Sequence, residues 1–475
     1  MTVTPPATVT PAPAPMRANA VPGSAGGLRA VGRLLRADPL AGLIRLRQTH
    51  GPIVQLSSRP LSAFLVADPA AIADVLVGSS RAYRRGFVRR GLGSRQTVVQ
   101  PLTLVLGQGL LTSSGDLHRR QRRLMQPLFH HQRIFEYGET FVAIADERTK
   151  RWQDGQRLDM HNEMIEMTLA MVTKTLFDVD VDADADSNIV TVIRTAISEN
   201  TVAARKALHT GFELLEQLPL PSVRRRRSSR QALDRVVYNL IERRRRDGAE
   251  GGDLLSLLLS ARDADTGDGM DDTQVRDEVL TIMLAGHETT ANALTWTFHL
   301  LGRHPEVAAA LHAELDTVLS GRRPTVADLP HLPFTDAVFK ESMRLYPPVW
   351  AMSRYLVEDR IVGGYPLPAG STLLLSQWVV HRDGKWWPEP ERFDPSRWIG
   401  DRVDPDRPRY AYFPFGGGPH QCIGNSFAQT EGALALATIS RRWMFEPVAG
   451  LQITPEPLVT LRPRDGLPMT IRRRG

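Results

Sequence analysis

The 475-residue chain is 42% hydrophobic and 23% charged, ordinary globular values with ample apolar material for a large core. Its single cysteine excludes an intrachain disulfide and any multi-cysteine zinc or iron–sulfur site within the chain. The net charge of +7 is carried almost wholly by arginine, with only five lysines among 59 basic residues, so it gives little support to nucleic acid binding.

The stretch from Thr2 to Pro22 is rich in Pro, Ala and Thr, with five prolines between Pro5 and Pro15. Such a composition cannot sustain a helix, so residues 1–21 are expected to be a disordered tail and 22–475 a single domain. The tail holds no apolar run of signal-peptide or anchor length, and no run of ~18 apolar residues follows. The expectation is a soluble, cytoplasmic protein without a membrane anchor. Short strand signals stand at 53–56, 63–66 and 371–375, and between them the hydrophobic period is mostly helical. Arg224 to Arg227, with Ser228 and Ser229, read as a solvated loop before a helix. Arg243 to Arg246 end that helix, where cations suit its dipole. Neither run is interleaved with aromatics, so no nucleic acid partner is expected.

Asp271, Asp272 and Thr273 offer helix caps, and a helical period then runs over 275–301, stopping before His304-Pro305. Midway lies Ala285-Gly286-His287-Glu288-Thr289-Thr290. A mid-helix glycine costs about 1 kcal/mol relative to alanine, which suggests that something approaches the backbone there. An acid beside an alcohol is also what proton delivery requires. His287-Glu288 begins like a zinc-protease His-Glu-x-x-His helix, but position 291 is Ala, so that metal site cannot form. Further on, Glu341 and Arg344 stand three apart and can pair on one helix face.

The last motif is Phe415-Gly-Gly-Gly-Pro-His420-Gln-Cys422-Ile-Gly424. Its glycines and proline make a rigid loop that a bulky ligand can approach. Helical period begins around Gly424 and Asn425, with Phe427, Leu434, Leu436 and Ile439 spaced for burial. Cys422 would precede a helix N-terminus, whose partial positive charge and free N–H groups stabilise a thiolate. An isolated cysteine reads as an inert buried thiol; this loop points instead to a ligand.

The string Phe-x-x-Gly-x-His-x-Cys-x-Gly resembles the haem-ligand loop of cytochrome P450 monooxygenases, and the chain is similar to the soluble bacterial terpenoid hydroxylases among them. The resemblance covers roughly residues 22–472. It implies a mainly α fold with a smaller β-rich part, haem lying between the long central helix and the Cys-ligand loop. It makes the Cys422 thiolate the axial ligand of haem b iron, with Phe415 against the sulfur and Gly416 and Gly424 completing the cofactor loop. His420, His118, Arg122 and Arg354 take the positions of propionate partners. Ala285 stands among the cofactor contacts. Gly286 opens room for O2, Thr289 hydrogen-bonds the activated oxygen and Glu288 relays protons. Glu341, Arg344 and a downstream arginine form a buried network; Arg397, in Pro395-Ser396-Arg397-Trp398, fits that place better than Arg392.

The resemblance also implies that Arg119, Arg120 and Arg123 face an acidic electron donor. No flavin or iron–sulfur module is fused, so NAD(P)H electrons would arrive through a ferredoxin reductase and a ferredoxin. The substrate-pocket positions hold Leu102, Leu104, Met283, Leu284, Val349, Trp350, Met352 and Leu458, an apolar set suited to a hydrophobic small molecule. Arg89, Arg90 and Arg95 nearby read as a solvated loop rather than a carboxylate anchor. Hydroxylation of a terpenoid is the expected reaction, with fatty acids, steroids and macrolides as other lipophiles. The alternatives are a haem-thiolate peroxygenase or isomerase, and a non-catalytic haem sensor or ligand-binding protein.

Overall fold

The computed structural model describes residues 21–22, 34–35, 37–57, 62–78, 82–90, 96–100, 102–178, 218, 220–246, 253–263, 265 and 267–474. The expected tail, except residue 21, lies outside them, as does Arg95. The side chains of Arg89 and Arg90 lie outside them as well.

A five-stranded sheet builds the β-rich part. Its strands are β1 (Ile53–Ser57), β2 (Ala63–Val66), β3 (Tyr83–Arg85), β4 (Met352–Leu356) and β5 (Thr372–Leu375), in spatial order β1-β2-β5-β4-β3. β1 and β2 pair antiparallel with Ile53 opposite Val66, while β5 joins β2 in parallel with Leu373 opposite Phe64. These apolar residues are at most 1% exposed, which explains why short runs hold as strands. At the far edge β3 and β4 pair antiparallel, and Arg85 falls directly opposite Arg354. Two like charges at one cross-strand position destabilise a sheet unless something else compensates them.

The helical part contains α1 (Thr103–Leu106), α2 (Gly115–Met125), α3 (His131–Lys150), α4 (Met160–Phe177), α5 (Pro221–Arg246), α6 (Asp272–Arg303), α7 (Pro333–Leu345) and α8 (Asn425–Ser440). α6 starts where the Asp271 side chain accepts the Gln274 N–H at 2.7 Å, and it ends before Pro305. Its 32 residues span ~48 Å at about 1.5 Å per residue. It is buried on almost every face, against α4, α5, α7 and α8. In α8, Phe427, Leu434, Leu436 and Ile439 are all buried, which seats the helix that follows the Cys loop in the core. Tyr346 packs against both the helical core and the core under the sheet, stacking on Trp296 with 4.2 Å between ring centroids.

One expectation is overturned. Arg224 to Arg227 are not a loop but lie in the first turns of α5. Arginine is a good helix former, and Val223, Leu233, Val237 and Ile241 give the segment a buried stripe that starts ahead of the arginines. Arg243 to Arg246 do form its last turn. Among the described residues no helix is long and apolar enough to cross a membrane.

Candidate active site

The Cys loop is held by close backbone approach. Gly416 and Gly418 have φ of 68° and 65°, a region that favours glycine. A Cβ on Gly418 would also collide with the Leu76 carbonyl oxygen. The Cys422 N–H donates to the Phe415 carbonyl at 2.9 Å, closing the loop around the sulfur. Gly424, the N-cap of α8, donates its N–H to the thiol. The helix-terminus stabilisation is therefore present but outweighed. Burial pushes the Cys422 thiol up, while the Gly424 N–H and the Arg122 charge pull it down. The side chain is nevertheless accessible, so the sulfur faces open space with protein packed around it. Thiolate formation there calls for a metal ion, which deprotonates a coordinating thiol outright.

A cluster of cations gathers beside this loop. Arg122 of α2 donates to the Gln421 carbonyl at 2.7 Å, and His118 and His420 share a hydrogen bond of 2.9 Å. Arg85 donates to the carbonyls of Leu111 at 2.6 Å, Leu110 at 3.2 Å and His420 at 3.3 Å. Arg354 donates to the Ser353 carbonyl. Burial, then the charges of Arg354 and Arg122, lower Arg85 to about 9. Burial alone lowers Arg354 to about 10. His118 is pushed down to about 4 by burial and then by Arg85, Arg122 and Arg354, and His420 is pushed further by burial and the same cations. Among the described residues no carboxylate pairs with any of the five. Haem carries two propionates, and this donor set fits them: three arginines without a carboxylate partner among the described residues and two histidines that burial keeps neutral, next to an accessible sulfur. Arg85 has no local sequence signal, because only the β3–β4 register brings it to Arg354.

α6 opens at one place. Ala285 is exposed and Gly286, Glu288 and Thr289 are partly exposed in the middle of an otherwise buried helix. The Thr289 hydroxyl donates to the Ala285 carbonyl at 2.6 Å. Glu288 accepts a 2.5 Å hydrogen bond from Thr460, whose oxygen also accepts from Asn292 at 3.2 Å. Thr460 lies by the turn of the hairpin β6 (Pro455–Pro457) to β7 (Leu461–Pro463), and sequence alone does not tie that turn to α6. A Cβ on Gly286 would meet Val172 of α4 at 3.0 Å, so the glycine lets α4 approach α6 closely.

Behind these groups lies a buried ion network. Arg344 makes a two-pronged contact with Glu341, both bonds 2.8 Å, and neither side chain has accessible surface. Arg397 donates to Glu341 at 3.1 Å and Trp398 at 2.9 Å, whereas Arg392 sits on the surface against Glu389. The remaining donors of Arg344 reach the carbonyls of His381, Pro390 and Arg392.

The expected substrate residues divide. Trp350 donates its indole N–H to the Leu458 carbonyl at 2.9 Å, and Met352 reaches within 3.3 Å of a Cβ built on Gly416, which sets it against the Cys loop. Val349 and Leu102 are half-buried, and Leu284 is buried. Met283 is sealed in the helical core at 2% exposure and offers no wall, because its position on α6 faces the packed side of the helix. Leu104 is exposed on α1. The arginines of α2 expected to face an electron donor carry acidic partners. Arg119 pairs with Asp116, and Arg120 and Arg123 both pair with Asp263, with Arg123 adding Asp265.

Comparison with known proteins places this geometry. The chain is 39% identical to cyclooctatin synthase of Streptomyces melanosporofaciens, over 92% of each chain. It is 38% identical to cyclooctat-9-en-7-ol 5-monooxygenase of the same organism, over 94% of each chain. It is 36% identical to pentalenene oxygenase of Streptomyces avermitilis, over 87% of each chain. Among solved structures, the haem domain of cytochrome P450DA superposes with a TM-score of 0.79 at 25% identity, covering 92% of this chain and 93% of that one. The family profile described as cytochrome P450 matches residues 22–467, and the chain belongs to the cytochrome P450 monooxygenase family.

Proposed function

We propose that this monooxygenase inserts one oxygen atom from O2 into a terpenoid hydrocarbon, using NAD(P)H electrons passed through a separate ferredoxin reductase and ferredoxin. The observation that carries the reaction is the opening in α6, where an acid and an alcohol are accessible in mid-helix. The substrate class rests on the relatives named for cyclooctatin, cyclooctat-9-en-7-ol and pentalenene, and on the apolar side chains of Trp350, Met352 and Leu458.

Haem bound to Cys422 supplies the oxygen activation and the attack on an unactivated C–H bond. Arg85, Arg122, Arg354, His118 and His420 would hold its propionates. The protein's own residues then govern protons and water. Thr289 has its proton committed to the Ala285 carbonyl and keeps lone pairs to accept a hydrogen bond from the site. Glu288, held by Thr460 at the edge of the opening, is placed to carry protons inward. The aliphatic walls exclude bulk water and orient a substrate by shape. A ferredoxin docking at α2 would meet arginines already paired with aspartates, so charge steering there is weaker than a bare patch would give.

Turnover of terpene hydrocarbons under 18O2, with ferredoxin, its reductase and NADPH, tests the reading. One labelled oxygen per product supports it. Binding without oxygenated product indicates a ligand-binding role, and turnover of fatty acids alone refutes the substrate class.

A further inference from the structure

A cleft at the far end of α6 takes no part in the reaction derived above. Arg303 ends α6 ~21 Å beyond Thr289, at about 1.5 Å per residue. There the end of α6, the end of α7 and the loop 451–454 ahead of β6 enclose about 400 Å³, the size of a small-molecule site. Buried His299 and Arg382 and half-buried Tyr346 line it, together with exposed Arg303, Glu391 and Thr454.

Arg382 is incompletely answered. Its side chain is 3% exposed, lies over the Trp378 ring at 3.4 Å, and donates through Nε alone to Glu391 at 3.2 Å. Neither Nη atom has a hydrogen-bond partner among the described residues, and Nη1 is fully buried. A buried donor left without a partner costs stability. Glu391 is 69% exposed, so water screens the one carboxylate that faces this guanidinium. Burial lowers Arg382 to about 10 against the pull of Glu391. Nearby donors are idle as well: buried His299, the Tyr346 hydroxyl and Arg303 have no hydrogen-bond partner among the described residues. Burial, then the charges of Arg303 and His304, lower His299 to about 4, which leaves its ring neutral. Burial pushes the Tyr346 hydroxyl up while the charges of Arg382 and Arg303 pull it down, so both guanidinium groups converge on one phenol.

We infer that this cleft is a binding site for a small oxyanion, a carboxylate or a phosphate ester, held between Arg303 and Arg382. The two arginines exceed Glu391 by one positive charge, and the guanidinium fork matches either oxyanion. The Tyr346 and Thr454 hydroxyls and the His299 ring supply neutral hydrogen bonds around it. Glu391 competes for Arg382 and, being exposed, turns out to solvent when the anion arrives. The site also adjoins the buried network. Arg344 donates to the carbonyls of His381, Pro390 and Arg392, the neighbours of Arg382 and Glu391 in the chain. An anion on Arg382 therefore ties down segments that Arg344 holds from the other side, and its binding reads out as stability. None of the cleft residues is among those assigned to haem, oxygen or substrate, so the inference stands apart from the terpenoid reading.

The test is isothermal titration calorimetry of the haem-loaded full chain with citrate and with glycerol 3-phosphate, ionic strength being held constant with sodium chloride. Saturable binding is expected; citrate alone identifies a carboxylate site, and glycerol 3-phosphate alone a phosphate-ester site. Arg303→Gln, at an exposed position, should weaken binding about fivefold and leave the Soret spectrum unchanged. Glu391→Gln should act in the opposite sense. It removes the competing carboxylate, so binding should tighten about threefold, and a melting temperature lowered in the absence of the anion should recover on its addition. The bound anion should raise the melting temperature of the wild type more than that of Arg303→Gln. No saturable heat with either anion, wild-type affinity in Arg303→Gln, or weaker binding by Glu391→Gln would overturn the inference. Where Glu391→Gln does not fold, Arg303→Gln decides by itself.

Discussion

Two groups of arginines, one fully buried around Glu341 and one partly buried beside the Cys loop, are treated in opposite ways. Around Glu341, each charge is answered within the chain: Arg344 and Arg397 share one carboxylate, and the leftover donors find carbonyls. Around His420, Arg85, Arg122 and Arg354 crowd two histidines with no carboxylate among the described residues. The first arrangement is complete as folded, so it holds structure. The second is electrostatically unfinished and becomes favourable only when an anionic ligand arrives. Charge balance, rather than burial, separates the two groups.

The largest test of this contrast lies at the sulfur between the two groups. Cys422→Ala should abolish the long-wavelength Soret band of the ferrous–CO complex and with it monooxygenase turnover; an unchanged spectrum would remove Cys422 as the ligand. Next in size is Glu341→Ala, which strands two buried guanidinium groups. A loss of about 3–5 kcal/mol is expected, read as a fall in melting temperature with or without haem. A normal melting temperature would mean that the network does not hold the fold.

Glu278 is an intermediate case, a buried carboxyl with one oxygen accepting the Leu110 N–H at 2.8 Å and the other without a partner among the described residues. Burial raises it from 4.5 to about 8, so the folded state keeps a proton that the unfolded chain releases. Its stabilising effect is full below 4.5 and is lost as the pH rises towards 8. Glu278→Gln should flatten that slope, gaining roughly 2–3 kcal/mol at pH 8 and little at pH 4.5, measured by urea unfolding across pH. Parallel pH profiles for the two proteins would show that Glu278 does not titrate in this window.

The smallest effect sharpens the contrast most. Arg354→Leu removes one of two arginines facing each other across β3 and β4. The haem-free protein should melt no lower than wild type, because Arg85 loses a repulsive neighbour, yet haem should transfer to apomyoglobin about tenfold faster, ~1.4 kcal/mol. A parallel loss of stability in the haem-free protein would place Arg354 with the structural network instead. At the oxygen site, Thr289→Ala should divert NADPH consumption to peroxide by several-fold, measured as product per NADPH. Full coupling would remove Thr289 from proton handling.

Much of the molecule was legible in its sequence. The 275–301 period and its aspartate caps foretold α6, which extends to Asp272–Arg303, because capping and periodicity are local properties of a chain. The loop before α8 and the Glu341–Arg344 spacing were legible for the same reason: their partners lie within a few residues. Arg224 to Arg227 were misread because their charge suggested a loop, while the buried stripe that makes them helical is set by packing.

What the sequence determined was chemistry bound to local spacing: one soft ligand in a glycine loop, an acid beside an alcohol, an apolar period. What only the tertiary structure decided was the company these groups keep. Sheet register set Arg85 against Arg354, a hairpin turn carried Thr460 to Glu288, and Val172 of α4 took the space left by Gly286. The aspartates at 263 and 265 closed over the arginines of α2. Each of these pairings joins residues far apart in the chain, where no periodicity or cap reports the partner, and their contact exists only once the cores beneath them have packed.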